Sequence, residues 1–133
     1  MTAATSGHAA AFWAGLHIIL LLILSILVVR KRQQHRVALG DGDIPDLAQA
    51  IRAFGNATEY VPAGMATLAL FAALDVAPVV VHILGLLMFV GRVIHAIGLS
   101  RSGEATLARA IGVSITWLAY VFAGVALLFY AVA

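Results

Sequence analysis

The chain has 133 residues, of which 63% are hydrophobic and 11% are charged. A soluble domain averages about 45–50% apolar and about 25% charged residues, so this composition excludes an ordinary soluble domain and a disordered chain. The chain contains no cysteine, which excludes a disulfide scaffold and leaves any thiol chemistry to a bound ligand. The net charge of +2 is small, so the placement of the charges matters more than their sum.

Four apolar stretches predict four transmembrane helices in one domain that spans residues 1–133. The predicted helices cover residues 9–30, 46–74, 78–99 and 105–132, and about 20 apolar residues cross a bilayer as a helix. The first stretch follows no Lys or Arg and is long for the apolar core of a leader peptide, so it predicts a membrane span. Short connections favour antiparallel neighbours, which predicts an all-α, up-down-up-down four-helix bundle.

The ends of the predicted helices carry residues that begin or end helices. Pro45 occupies a favourable first position for helix two, and Asp46 in the first turn suits the helix dipole. Helix two is polar at first and becomes apolar from about Tyr60. Pro78 is expected to open helix three, and Ser102 is expected to cap the N-terminus of helix four.

The basic residues predict the orientation in the membrane. The first loop carries four of them and the third loop carries one: Arg30, Lys31, Arg32, Arg36 and Arg101. The segment between the second and third helices carries none. The positive-inside rule therefore places the loops at residues 30–46 and 99–104 in the cytoplasm and both termini on the opposite side.

Polar and ionisable residues, which are energetically unfavourable in a membrane, lie toward the loop-one and loop-three ends of the helices. Arg52, Asn56 and Glu59 have the i, i+4, i+7 spacing that puts them on one face of helix two. Arg92 and His95 share a face of helix three. Ionisable residues inside a membrane segment are expensive and usually face a cavity or each other.

This set of side chains suits a small ligand with several carboxylates and one amine. Arg forms bidentate pairs with carboxylates, and Glu59 could take an ammonium group. The excess of Arg also favours a thiolate in the site. Arg52 with Glu59 could instead be a structural ion pair, and Tyr60 could be an aromatic residue of the membrane interface. His17 and His82 are expected to be satisfied polar groups between helices. No metal site is expected, because His95 has no second ligand at metal spacing.

The segment Arg-Ala-Phe-Gly-Asn-Ala-Thr-Glu-Tyr-Val-Pro at residues 52–62 resembles the helix-two signature of the MAPEG family, the membrane-associated proteins in eicosanoid and glutathione metabolism. The segment Gly-Arg-Val-Ile-His-Ala at residues 91–96 resembles the family's helix three. The resemblance covers nearly the whole chain and is nearest to small bacterial members. It therefore implies an inner-membrane protein that assembles as a homotrimer.

The resemblance also implies that glutathione binds between neighbouring subunits and is open to the cytoplasm. Arg52 and Asn56 would then hold the tripeptide, and Glu59 would hold its amino end. Tyr60 would contact the ligand or the subunit boundary. Three further residues match ligand-side positions of the family: Arg32, Arg92 and His95. The thiol would become a thiolate beside an Arg and attack a lipophilic electrophile from the bilayer.

Two departures from the characterised enzymes bear on activity. Leu99 stands where those enzymes have a Tyr, so a hydroxyl donor is missing there. The Arg expected at the start of helix four aligns with Thr106, which leaves Arg109 or Arg101 as candidate stabilisers of the thiolate. Gln33 also stands where some members have a second loop-one Arg.

Three function classes follow. The leading hypothesis is a glutathione transferase or glutathione-dependent peroxidase that acts on lipophilic electrophiles. The second is a non-catalytic member of the family, which the missing hydroxyl at Leu99 keeps open. The third is a proton-coupled four-helix exporter that uses Glu59 as its membrane carboxylate.

Overall fold

The computed structural model describes residues 5–132 and consists of four α-helices. They are α1 (Ser6–His35), α2 (Pro45–Ala73), α3 (Pro78–Arg101) and α4 (Leu107–Val132). The predicted all-α, four-helix architecture is confirmed for these residues. The predicted helices 9–30 and 78–99 end earlier than α1 and α3, and the predicted helix 105–132 begins two residues before α4.

The prediction that Ser102 caps the fourth helix is wrong. α3 continues to Arg101, and the Ser102 hydroxyl accepts a hydrogen bond from the Glu104 backbone N–H at 3.1 Å, within the loop. Thr106 takes the capping position, since its hydroxyl accepts the Arg109 backbone N–H at 3.3 Å. A threonine side chain can satisfy an otherwise unpaired N–H of the first turn, which explains why α4 begins at Leu107.

The connection between α1 and α2 is held by a cluster at its base. α1 ends at His35, and its C-cap residue Arg36 has a left-handed backbone with φ of 57°. The Asp46 carboxylate in the first turn of α2 accepts hydrogen bonds from Lys31 Nζ at 2.8 Å and His35 Nε2 at 3.1 Å. Arg32 donates to the backbone oxygen of Gly40 at 2.8 Å, inside the same loop. The basic end of α1 is therefore tied to the start of α2.

α3 lies at the centre of the bundle and packs against the other three helices. Its contact with α4 is the most extensive, whereas no Cα atoms of α1 and α4 lie within 8 Å of each other among the described residues. Glycines set the distance between α3 and α4. A Cβ added to Gly91 would lie 2.7 Å from the Thr116 hydroxyl, and one added to Gly112 would lie 2.5 Å from the His95 backbone nitrogen.

The contact between α3 and α1 is built from aromatic rings. The Trp13 ring fills the space beside Gly85, and its Nε1–H donates to His82 Nδ1 at 2.9 Å. His17 is buried and donates from Nδ1 to the Trp13 backbone oxygen at 2.7 Å, but its Nε2 has no partner among the described residues. His82 therefore makes the expected interhelical contact. The expectation that His17 is satisfied is wrong for its Nε2.

Three of the four helices, α1, α3 and α4, are long and apolar enough to cross a membrane. α2 does not meet the same criterion, so the expectation of four apolar spans holds for three helices. α2 has 29 residues, roughly 44 Å of helix, which is long enough to cross a bilayer. Its first half carries the polar residues Arg52, Asn56 and Glu59, of which Arg52 and Glu59 are exposed and Asn56 is half-buried.

Candidate functional site

A polar face on α2 forms the outer part of the candidate site. Arg52 Nη1 donates to Glu59 Oε1 at 3.0 Å, and Asn56 Nδ2 donates to Glu59 Oε2 at 3.4 Å. The Arg52 and Glu59 side chains are 60% and 51% exposed in the single chain. The structure therefore brings together the three residues that the helical spacing predicted to share a face, and leaves their outer side open.

Arg92 forms the inner part of the site and is 1% exposed. Its Nη1 donates to Asn56 Oδ1 at 2.6 Å, while Nε and Nη2 both donate to the Thr116 hydroxyl, at 2.9 and 2.7 Å. Nη2 also lies 3.4 Å from the backbone oxygen of Gly112. Within residues 5–132, these partners are all neutral, so the enclosed guanidinium is solvated by amide, hydroxyl and carbonyl groups.

Tyr60 closes the space over Arg92. The guanidinium carbon of Arg92 lies 4.6 Å from the centre of the Tyr60 ring, a distance typical of a cation–π contact. The Tyr120 hydroxyl of α4 donates to the Tyr60 backbone oxygen at 2.7 Å. The two tyrosine rings pack with centroids 5.8 Å apart. α4 therefore holds the segment of α2 that carries the polar face.

A pocket of about 280 Å³ lies beside this face, at the loop-three end of the bundle. Two arginines, Arg52 and Arg109, line it together with Gln49, Ser102 and Leu99. Arg109 Nη1 donates to the backbone oxygen of Glu104 at 2.7 Å, which braces the side chain against the loop. The pocket therefore combines two guanidinium groups with an apolar wall, a combination that suits an anionic group joined to a less polar one.

A second, apolar groove of about 210 Å³ lies between α2 and α4 on the other side of Tyr60. Small and apolar residues line it: Ala63, Thr67, Tyr120, Ala123, Gly124 and Leu127. Arg52 and Thr67 are roughly 22 Å apart along α2. Along one face of α2, the two-arginine pocket, the polar face and the apolar groove therefore follow one another.

Other candidate residues lie elsewhere in the chain. Arg32 lines a separate cavity beside Gln33 and Arg36. Arg101 lines a groove between α1 and α3, apart from the two-arginine pocket that Arg109 lines. His95 is 9% exposed, and its Nδ1 donates to the Arg109 backbone oxygen at 2.9 Å. His95 thus joins α3 to the start of α4.

Two residues of the network, Thr116 and Tyr120, were not among the predicted site residues. Both lie on α4, and both act on α2 or α3 through hydrogen bonds that cross between helices. The available signal was the Gly112-to-Thr116 spacing, which puts a small residue and a hydroxyl on one helical face. A buried Arg on a neighbouring helix needs such acceptors, since no water replaces them in a membrane.

The site can hold a flexible ligand that carries both charge signs. The guanidinium groups of Arg52 and Arg109 can bind carboxylate or thiolate groups, and the Glu59 carboxylate can bind an ammonium group. The adjacent groove can hold an apolar molecule that enters from the lipid. The arrangement therefore favours contact between a polar, zwitterionic ligand and a lipophilic one.

Comparisons with known proteins agree with the resemblance. The sequence profile of the MAPEG family matches residues 10–129. The chain is 40% identical over 121 residues to the inner membrane protein YecN of Escherichia coli strain K12, and this covers 90% of both chains. The same figures apply to inner membrane protein YecN of Escherichia coli O6:H1 strain CFT073. With its apolar helices, the chain is a multi-pass integral membrane protein and belongs to the MAPEG family.

Proposed function

We propose that the chain binds glutathione on the polar face of α2 and uses it as a cosubstrate, as a glutathione transferase or peroxidase for lipophilic electrophiles. One observation carries this proposal: the face made by Arg52, Asn56 and Glu59 lies between a two-arginine pocket and an apolar groove. Glutathione has two carboxylates, one amine and a thiol. The guanidinium groups of Arg52 and Arg109 could pair with the two carboxylates, and the Glu59 carboxylate with the amine.

The binding roles follow the family resemblance and are supported by the geometry. Arg52 and Asn56 hold carboxylate and carbonyl groups of the tripeptide, and Glu59 holds its ammonium group. Tyr60 forms the wall between the polar face and the groove. Arg32 and His95 are the further ligand-side candidates, and in the single chain both lie outside the polar network.

A homotrimer would complete this site. Arg52 and Glu59 are more than half exposed on a helix that crosses the bilayer region, where open polar groups are expensive. A neighbouring subunit would cover this face and could bring its own Arg32 to a glutathione carboxylate. The location of the site between subunits thus accounts for a polar face that one chain leaves open.

Arg109 is the better supported candidate for stabilising the thiolate. It lines the same pocket as Arg52, whereas Arg101 lines a groove between α1 and α3. A guanidinium group beside a thiol favours its anionic form, which is the nucleophile in conjugation. Conjugation would then form a carbon–sulfur bond between the thiolate and an electrophilic carbon, as that carbon's bond to a leaving group breaks and the group departs with the bonding electrons.

The protein would lie in the bacterial inner membrane, as the name of its relatives states for them. The basic residues of the loops at residues 30–46 and 99–104 would face the cytoplasm, and both termini the opposite side. The glutathione site would then be open to the cytoplasm, where glutathione is abundant.

Equilibrium binding of glutathione to the detergent-purified protein tests this proposal. Arg52→Ala and Glu59→Ala should each weaken binding by at least about tenfold, because each removes a charge-assisted contact. Arg30→Ala is the matched control, since Arg30 is exposed and outside the site. Absence of wild-type binding at millimolar glutathione, or equal binding by all four proteins, would overturn the proposal.

A non-catalytic member of the family is the second candidate, and Leu99 favours it. Leu99 is 5% exposed and lines the two-arginine pocket, where it offers no hydroxyl group. Ultraviolet difference absorbance of bound glutathione separates the two. A transferase should hold the thiol as thiolate at neutral pH, whereas a non-catalytic protein should bind glutathione with the thiol protonated.

The exporter hypothesis has less support. Glu59 is paired with Arg52 at 3.0 Å, and a cationic substrate would meet Arg52 before it reached the carboxylate. An exporter also needs its carboxylate near the middle of the membrane. If the protein were such an exporter, Glu59→Gln would abolish proton-coupled transport of a lipophilic cation into reconstituted vesicles.

A further inference from the structure

The amide of Asn56 is held in one orientation from behind. Arg92 is a donor at every nitrogen and has no acceptor, so the Asn56 atom that it contacts at 2.6 Å is the carbonyl oxygen Oδ1. The amide nitrogen Nδ2 then points the other way, toward Glu59 Oε2 at 3.4 Å and the open side of α2. Asn56 therefore presents N–H groups to the polar face.

Arg92 is in turn fixed by Thr116. The Thr116 hydroxyl accepts the Nε–H and an Nη2–H of Arg92 at 2.9 and 2.7 Å, and donates to the Gly112 backbone oxygen at 2.9 Å. A hydroxyl group has two acceptor sites and one donor, so all three are in use. Both Thr116 and Arg92 are at most 1% exposed, and neither can exchange these partners for water.

We propose that Thr116 and Arg92 are positioning residues that lock Asn56 with its N–H groups toward glutathione, which makes Asn56 a donor to a carboxylate or carbonyl of the tripeptide. This inference rests on the proposed function. Arg92 then lies behind the ligand and does not bind it, because its guanidinium already contacts Asn56, Thr116 and the Tyr60 ring. The inference also adds Thr116, on α4, to the residues that determine which groups the site accepts.

The structure offers a matched pair of substitutions at this position. Thr116→Val keeps the shape of the side chain and removes the hydroxyl, which leaves the Nε–H of Arg92 without its acceptor. Thr116→Ser keeps the hydroxyl and removes one methyl group. We expect Thr116→Val to weaken glutathione binding by about tenfold and Thr116→Ser to restore it to within about threefold of wild type.

A second comparison separates positioning from a general loss of stability. If Thr116 acts through Asn56, then Thr116→Val should weaken binding little further when Asn56 is already Ala. The experiment compares glutathione dissociation constants of the wild type, both single variants and the double variant, each purified in the same detergent. An unchanged dissociation constant for Thr116→Val, or a full tenfold loss on the Asn56→Ala background, would overturn the inference.

The orientation of Asn56 can be measured without any ligand. In the micelle-bound protein, the side-chain amide resonances of Asn56 should shift in Thr116→Val and remain in place in Thr116→Ser. If the wild type fails to bind glutathione, the proposed function fails and this spectrum decides the inference by itself. Asn56 resonances that are the same in all three proteins would overturn it.

Discussion

α3 packs against α4 and against α1 in opposite ways. Toward α4, Gly91 and Gly112 bring the helix backbones together, so that a Cβ on Gly112 would lie 2.5 Å from the His95 nitrogen. Toward α1, the ring of Trp13 fills the space beside Gly85. One interface is therefore made by backbone, hydroxyl and guanidinium groups, and the other by rings.

Buried polar groups also differ in their hydrogen-bond partners at the two interfaces. On the α4 side, Arg92 finds the Thr116 hydroxyl and the Gly112 carbonyl within reach, because the backbones are close. On the α1 side, His17 bonds only to the backbone of its own helix, and its Nε2 has no partner among the described residues. The close interface thus supplies acceptors to Arg92, whereas the ring-filled interface supplies one to Trp13 and, among the described residues, none to His17 Nε2.

Breaking the close approach should have the largest effect. Gly112→Val places branched carbon atoms against the His95 backbone, which cannot yield as a flexible side chain could. We expect it to lower the free energy of unfolding by about 3 kcal/mol, measured by titration with a denaturing detergent. Gly124→Ala, on the same helix with no described atom within 4 Å of the new Cβ, should leave it unchanged or raise it by up to about 1 kcal/mol, because Ala has the higher helix propensity. Equal losses in the two variants would contradict this account of the interface.

Two histidines at the aromatic interface differ in their hydrogen bonding: His82 accepts one across the interface, whereas His17 Nε2 has no partner among the described residues. His17→Leu removes a buried nitrogen that has no partner among residues 5–132, so the free energy of unfolding should stay the same or rise by up to about 1 kcal/mol. His82→Leu leaves the Trp13 Nε1–H without its acceptor and should lower it by about 1–3 kcal/mol. Thermal unfolding in detergent measures both. A larger loss for His17→Leu than for His82→Leu would mean that His17 Nε2 has a partner after all.

The smallest effect is expected at the base of the α1–α2 connection, outside the membrane. Hydrogen bonds from Lys31 and then from His35 lower the pKa of Asp46 from 3.8 to about 2. A carboxyl whose pKa is lower in the folded state stabilises that state above its unfolded pKa, and this contribution is lost as pH falls from about 4 to about 2. Asp46→Asn should remove this part of the pH dependence of stability between those values. If stability depended on pH identically in both proteins, the hydrogen bonds from Lys31 and His35 to Asp46 would contribute nothing to stability.

Local features of the fold were predictable from the sequence, because they depend on residues near one another in the chain. The four helices follow from apolar stretches and prolines, and the shared face of Arg52, Asn56 and Glu59 follows from helical spacing. The start of α4 was less predictable, since Ser102 and Thr106 are both capable caps and only the length of α3 decides between them.

The inner half of the candidate site depends on register between helices, which no single segment determines. The sequence shows that Arg92 is energetically unfavourable in a membrane helix and needs hydrogen-bond partners. It does not show which ones, because Asn56 and Thr116 lie on two other helices. The lack of a partner for His17 Nε2 among residues 5–132 has the same origin, because a one-residue change in the register of α1 would alter which atoms it contacts. Sequence spacing identified which residues need partners, and packing determined which partners they have.

The hydrogen bonds of Arg92 also bear on how the chain enters the membrane during synthesis. Its partners Gly112 and Thr116 follow it in the chain and lie on α4, beyond a short connection. If α3 were integrated by itself, the guanidinium would face lipid without these acceptors, at a cost of several kcal/mol. α3 and α4 are therefore expected to enter the bilayer together as a helical hairpin, with the cation already enclosed when it leaves the translocon.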